Sequence, residues 1–203
     1  MNNNIQKLVL ASKNAGKIRE LKELLLDLPI EVVSAFAAGF QDDIEETGTT
    51  FASNAILKAE TISQTLKCWS LADDSGIVVD HLGGEPGVYS ARYAGEHVSD
   101  VANNAKLLAK MQRVPLQQRQ ASFVSVIALA RPNVETVTFE GICNGQLLYV
   151  PRGQAGFGYD PIFLPDDHDL SYAELSDAQK NQISHRGIAM RLLNAYLVKE
   201  LRN

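Results

Sequence analysis

The sequence predicts an α/β fold, a mixed β-sheet with flanking helices, and three observations carry that prediction. In the first half, short β-rich runs alternate with amphipathic helical patterns. In the second half, "ASFVSVIALAR", "VETVTFEGIC" and "GQLLYVPRG" follow one another with only turns between them, as antiparallel neighbours do. The chain then closes on a helical pattern. Interleaved elements with directly connected late strands favour a mixed sheet over a doubly wound parallel one.

The elements follow in order. "KLVLA" (7–11) reads as a short buried strand. After the polar loop "SKNAGK", the apolar residues Ile18, Leu21, Leu24, Leu25 and Leu28 recur at helical spacing and stop at Pro29. "IEVVSA" (30–35) is a second strand. An acidic loop, "QDDIEETGTT" (41–50), leads into a helix with Phe51, Ala55, Ala59 and Ile62 on one stripe. On that helix Asn54 and Lys58 stand four apart and share a face. Two strands, 68–73 and 76–80, flank the acids Asp73 and Asp74, and "LGGEPG" makes a turn. Ser99 is a good N-cap for a helix over 99–111. The last helix starts near His185 with Ile188, Leu192, Leu193, Tyr196 and Leu197 on one side.

Composition narrows the class. The chain has 203 residues, 45% of them apolar and 21% charged, which suits one domain or a domain of two lobes without a separable linker. A formal net charge of −5 disfavours non-specific binding to nucleic acid or to an anionic membrane. Cys68 and Cys143 belong to no metal-binding or disulfide spacing. No apolar run approaches membrane-spanning length, and the N-terminus shows no basic leader followed by an apolar stretch. A cytoplasmic protein is expected.

Five stretches could carry chemistry, and each has a plainer reading beside it. In "VLASKNAGKIREL", a strand, a Gly-containing loop and a helix start can offer amides and a helix dipole to an anion. It is no Walker A motif, because Ala11 and Ile18 stand where Gly and Ser or Thr would be needed. A capped helix with a solvated Lys17 fits the spacing equally. In "EETGTTF", a glutamate could join Asp74 around Mg²⁺ or Mn²⁺, or the acids could simply face water ahead of a helix. "ADDSG" could be an ordinary turn, yet apolar flanks make its acids harder to dismiss, since buried carboxylates need partners. In "AGFGYDPIFLP", Gly156 and Gly158 permit close backbone approach and Phe157 and Tyr159 offer aromatic faces, unless those rings pack in the core. "KNQISHRGIAM" gathers Lys180, His185 and Arg186 at a helix start, where a surface histidine is also common.

Taken in order, "ASKNAGKIREL" (11–21), "EETGTTFASNAILKA" (45–59), "LADDSGIVVDHLGGEPGVYSARYAG" (71–95), "GFGYDPIF" (156–163) and "AELSDAQKNQISHRG" (173–187) resemble the Ham1/RdgB family of inosine/xanthosine triphosphate pyrophosphatases. The resemblance implies an elongated, two-lobed molecule with its site in a central cleft, a fold shared with the Maf proteins, and a homodimer. It implies Mg²⁺-dependent cleavage of ITP, dITP and XTP to the monophosphate and pyrophosphate, clearing these nucleotides from the pool. By the same resemblance, Ser12, Lys13, Asn14, Ala15, Gly16 and Lys17 form the triphosphate loop, and Glu46 and Asp74 bind the metal. Asp74 also activates water, Lys58 neutralises charge on the phosphates, and Ser75 touches the substrate. Phe157, Gly158, Tyr159 and Asp160 match the nucleoside loop, and Lys180, His185 and Arg186 match the base-reading residues. Lys13 and Ser171 depart mildly from the family pattern.

The chemistry agrees from below. Donors from Arg186 and backbone amides would donate to O6 of inosine or xanthine and oppose the amino group of adenine. Such a mismatch costs on the order of 10⁴-fold. Two competing readings remain at this point. One is a Maf-like pyrophosphatase acting on pyrimidine or modified triphosphates, which dTTP and UTP would reveal. The other is a nucleotide sensor that binds without cleaving.

Overall fold

The structure is a computed structural model that describes residues 5–12 and 15–202, without the side chains of Ala15, Gly16, Lys17, Glu20 and Arg202. Its strands form a six-stranded sheet in the order β2-β1-β3-β4-β5-β6. In chain order, β1 (Gln6–Leu10), α1 (Ala15–Leu24), β2 (Ile30–Ser34), α2 (Phe51–Leu66) and β3 (Trp69–Val79) come first. Then follow α3 (Asp100–Lys110), β4 (Gln120–Arg131), β5 (Val134–Leu147), β6 (Phe163–Pro165), α4 (Asp177–Ile183) and α5 (His185–Arg202). β1 pairs in parallel with both β2 and β3, whereas β5 and β6 are antiparallel. Only Pro132 and Asn133 join β4 to β5, a connection so short that it requires an antiparallel pair. The mixed sheet with flanking helices is as the sequence predicts.

The chain divides into two compact units: Met1–Asp74, Val126–Glu140 and Ala189–Asn203 form the first, Ser75–Ser125 and Gly141–Ile188 the second. Each crossing falls inside β3, β4, β5 or α5, so no linker separates them. Each unit has its own apolar core. In the first, Leu8, Leu10, Leu21, Leu25, Ile127 and Leu193 pack together. In the second, Ile77, Leu107, Met111, Phe123, Ile162 and Phe163 do so.

Four sequence expectations are corrected. The separate strands at 68–73 and 76–80 are one continuous strand, β3, which runs straight through Asp73, Asp74 and Ser75. "GQLLYVPRG" is no strand of its own: Gly145–Leu147 finish β5 and the rest is loop. Gly145 is there for close packing and not for a turn, because a Cβ on it would lie 2.2 Å from the Leu164 carbonyl oxygen of β6. Helix α1 ends at Leu24, short of Pro29, and residues 25–28 form turns. Leu192 on α5 is 47% exposed, so the packed stripe there is Ala189, Leu193 and Leu197.

α2 shows how local sequence sets up the site. Thr50 caps it, its hydroxyl accepting from the Ser53 amide while the Ser53 hydroxyl accepts from the Thr50 amide. This capping box anchors the acidic loop to the first turn.

Candidate active site

The first cluster lies wholly within the first unit. From α2, the Lys58 ammonium donates to Glu46 Oε1 at 2.6 Å and to the backbone carbonyl of Asp73 at 2.8 Å. It also stands 3.9 Å from Asp74 Oδ1. One turn earlier, Asn54 donates through Nδ2 to Asp74 Oδ2 at 3.0 Å. Its Oδ1 accepts the Gly48 amide at 2.8 Å. Glu46 is half-buried and meets Lys58, while Glu45 is exposed, so Glu46 is the loop glutamate turned toward the acids of β3. The side chains of Lys58 and Asp74 are only 14% and 11% exposed, which keeps their charges poorly screened.

Asp74 thus survives mid-strand because α2 supplies its carboxylate with partners. Asp74 is met by an amide donor and stands near a lysine, so its half-buried carboxylate has both a hydrogen bond and a nearby cation.

The phosphate-loop candidates sit beside this cluster along the chain. β1 is in register with β3 at Leu10↔Leu71, and the Ala11 amide donates to Leu71 O at 2.8 Å. Ser12 therefore leaves the sheet next to the strand that carries Asp73 and Asp74. Ala15, Gly16 and Lys17 form the first turn of α1. Lys13 and Asn14 lie outside the described residues, as does the Lys17 side chain.

The second cluster lies wholly within the second unit. Residues 156–158 turn through left-handed glycines, Gly156 at φ 77° and Gly158 at φ 59°. A Cβ on Gly156 would stand 2.0 Å from Asp160 Oδ2, so only glycine fits. The same oxygen accepts the Phe157 amide at 2.9 Å and the Lys180 ammonium. Burial pushes the Asp160 carboxyl up from its ordinary value, and Lys180 pulls the other way. Asp160 and Tyr159 are buried, and Tyr159 donates to the Ser90 carbonyl at 2.8 Å. These two shape the loop. Phe157, 68% exposed, is the face it presents, with Lys180 Nζ 4.8 Å from its ring centre.

Two loop-holding residues escape a reading of the sequence. From α3, Asp100 accepts the Gly158 amide at 2.6 Å and Asn104 donates to the Gly158 carbonyl at 3.0 Å. Their i, i+4 spacing on one helix face was the available signal.

α4 also goes unpredicted, although its capping box of Ser176 and Gln179 is visible in "SDAQ". Ser184 alone separates α4 from α5 and accepts the Gly187 amide at 3.1 Å. A Cβ on Gly187 would be 1.9 Å from the Asn181 carbonyl oxygen, so the two helices meet here without room for a side chain. His185 stacks on Phe123 at 4.8 Å, and Arg186 is half-buried on the next position. Ser75, the next residue after Asp74 on β3, is exposed.

Residues 8–196 match the model of the Ham1 family. The chain belongs to the Ham1 family. It is 48% identical over 193 residues to a dITP/XTP pyrophosphatase of Bacillus licheniformis, covering 95% of this chain and 98% of the relative. A Bacillus subtilis protein of the same name is 46% identical over 93% of this chain and 96% of its own length. Among solved structures, the Staphylococcus aureus Ham1 protein superposes with a TM-score of 0.91 at 46% identity, covering 96% of this chain and all of that one (100%). A nucleoside-triphosphatase / dITP/XTP pyrophosphatase from Mycobacterium abscessus gives 0.82 at 41% identity, covering 93% of this Ham1 chain and 98% of its own.

Proposed function

We propose that this Ham1-family chain hydrolyses ITP, dITP and XTP to the nucleoside monophosphate and pyrophosphate. The observation that carries the reading is the convergence of Glu46, Lys58 and Asp74 beside the strand that opens the 12–17 loop. The names borne by relatives nearly half identical over almost the whole chain support the substrate class.

A divalent metal fits the donor set. Glu46 and Asp74 offer only oxygen, which suits Mg²⁺, and no group of three or more acid, His or Cys ligands exists among the described residues. Two carboxylates with water and substrate phosphates completing the shell is a usual Mg²⁺ arrangement. Bound there, Mg²⁺ would neutralise charge on the phosphate oxygens. The protein's own residues do the rest. Asp74 takes the proton of a water attacking the α-phosphorus; the bond from that phosphorus to the oxygen shared with the β-phosphate breaks and pyrophosphate leaves. Lys58 faces the charge that builds on the phosphates. Ser12, Lys13, Asn14 and Lys17 belong to the loop that holds the triphosphate. Phe157 stacks on the base, and Lys180, His185 and Arg186 read its edge. The same reading makes the protein a cytoplasmic homodimer that binds neither nucleic acid nor membrane. Its charge of −5 supports the absence of nucleic-acid and anionic-membrane binding; among the described residues no helix is long and apolar enough to cross a membrane.

A panel of ITP, XTP, ATP, dTTP and UTP, each with and without Mg²⁺, tests the reading. ITP and XTP should release pyrophosphate far faster than the others, only with metal. Asp74→Asn should lower kcat by about 10³-fold or more. Release of orthophosphate, indifference to the base, or an active Asp74→Asn variant would overturn it.

A further inference from the structure

Asn54 has no assigned part in the chemistry, yet its surroundings single it out. It is fully buried, at 0% exposure, in the first turns of α2, where asparagine is a poor helix former. Its backbone amide already makes the helical bond to Thr50 O at 3.2 Å, so the side chain is not needed for capping. Both ends of the carboxamide are used instead, and in opposite senses. The NH₂ group donates to Asp74 Oδ2 and the oxygen accepts from the Gly48 amide. The bond to a carboxylate is of the charge-assisted kind, stronger than a neutral pair.

Three consequences follow from this geometry. The donor fixes which oxygen of Asp74 points where: Oδ2 is held by Asn54, and Oδ1 is the oxygen nearer the Lys58 ammonium. The acceptor ties down the loop two residues after Glu46, so one rigid amide spans from the glutamate's loop to the aspartate's strand. The approach of that loop is close, since a Cβ on Gly48 would lie 2.5 Å from Asn54 Oδ1 and 2.2 Å from Ser53 Oγ. Gly48 is therefore explained by what it must let past.

We infer that Asn54 is a positioning residue, one that sets the rotation of the Asp74 carboxylate and its separation from Glu46 and so prepares the pair for a divalent cation. The inference rests on the reading of Glu46 and Asp74 as the metal-binding acids. No other common side chain of this size presents a donor on one side and an acceptor on the other. Leucine keeps the volume and loses both bonds. Aspartate keeps the acceptor for Gly48 and loses the donor for Asp74.

The test compares Asn54→Leu, Asn54→Asp and Asp74→Asn with the parent. Mn²⁺ binding to the nucleotide-free protein is measured by electron paramagnetic resonance and titration calorimetry, and kcat and KM with ITP and Mg²⁺. Both Asn54 variants should bind Mn²⁺ about 10–100-fold more weakly and lose a similar factor in kcat, as residues supporting a ligand do. KM for ITP should stay within about threefold. A merely structural clasp would be restored by Asn54→Asp, which keeps the Gly48 bond; recovery of Mn²⁺ affinity and kcat in that variant overturns the proposal. If Asp74→Asn is inactive while both Asn54 variants match the parent, the proposal fails and the functional reading stands. If Asp74→Asn stays active, the functional reading itself fails. Should the variants not fold, the parent decides by NMR. The Asn54 side-chain NH₂ and the Gly48 amide should exchange slowly with solvent, and the former should shift in Asp74→Asn. Fast exchange of both would refute the inference.

Discussion

The two polar clusters use the same device for different ends. In the first unit an asparagine on α2, four residues from a lysine, grips the Gly48 amide; in the second, Asp100 and Asn104, also four apart on a helix, grip both sides of Gly158. What they hold in place differs. The first cluster keeps its charges together and partly open: Lys58, Glu46 and Asp74 range from 11% to 26% exposed at their side chains. The second spends its charges internally. Asp160 is 3% exposed, closed on Lys180 and the Phe157 amide, and the residue left outside is an uncharged ring. A site that keeps ions available suits a charged, metal-bearing group, and one that neutralises them to stiffen an aromatic turn suits a flat base. Chemistry should therefore follow the first unit and discrimination the second.

That division can be broken. Lys58→Met should lower kcat for ITP by about 10²–10³-fold, the size expected when a preorganised positive charge is removed. KM for ITP should barely move, and steady-state kinetics on ITP would check both. A variant that raised KM and spared kcat would place Lys58 in binding. Phe157→Ala should do the reverse. Losing base stacking costs about 1–3 kcal/mol, so KM should rise by about 5–150-fold with kcat near the parent's.

The smallest effect expected is on the pH dependence of stability. Burial raises the folded-state pKa of Asp160, so the folded protein holds this proton more tightly than the unfolded chain. The sign follows: the contribution favours folding below the ordinary aspartate range and is lost as pH rises through the folded value. Asp160→Asn should flatten the thermal-midpoint profile over the weakly acidic region just above that range. An unchanged profile would mean that Lys180 fully offsets the burial.

Much of this was legible in sequence because it is local. Most strands and most helices follow from periodicity, and the cap at Ser99 from side-chain chemistry at a helix start. What failed was set by partners distant in the chain. The sequence shows a break between strands at Asp74–Ser75 because the asparagine and lysine that make Asp74 tolerable in a strand come from α2. The break expected between "VETVTFEGIC" and "GQLLYVPRG" is absent because Gly145 accommodates the backbone of β6, some twenty positions later. Arg119 drew no notice, yet it is 1% exposed, its guanidinium donating to the carbonyls of Met111, Leu147 and Leu148. The candidate ligand residues are named by family resemblance. The structure adds those that hold them: Asn54, Asp100 and Asn104.

The meeting of α4 and α5 at Gly187 has a wider consequence. With the Asn181 carbonyl pressed against that position, Lys180 at one side and His185–Arg186 at the other are joined by main chain that has no slack. If Lys180, His185 and Arg186 read the base as proposed, tuning among purines would come less from exchanging these side chains than from altering the backbone between them, and one added methyl group at 187 would disturb all three at once.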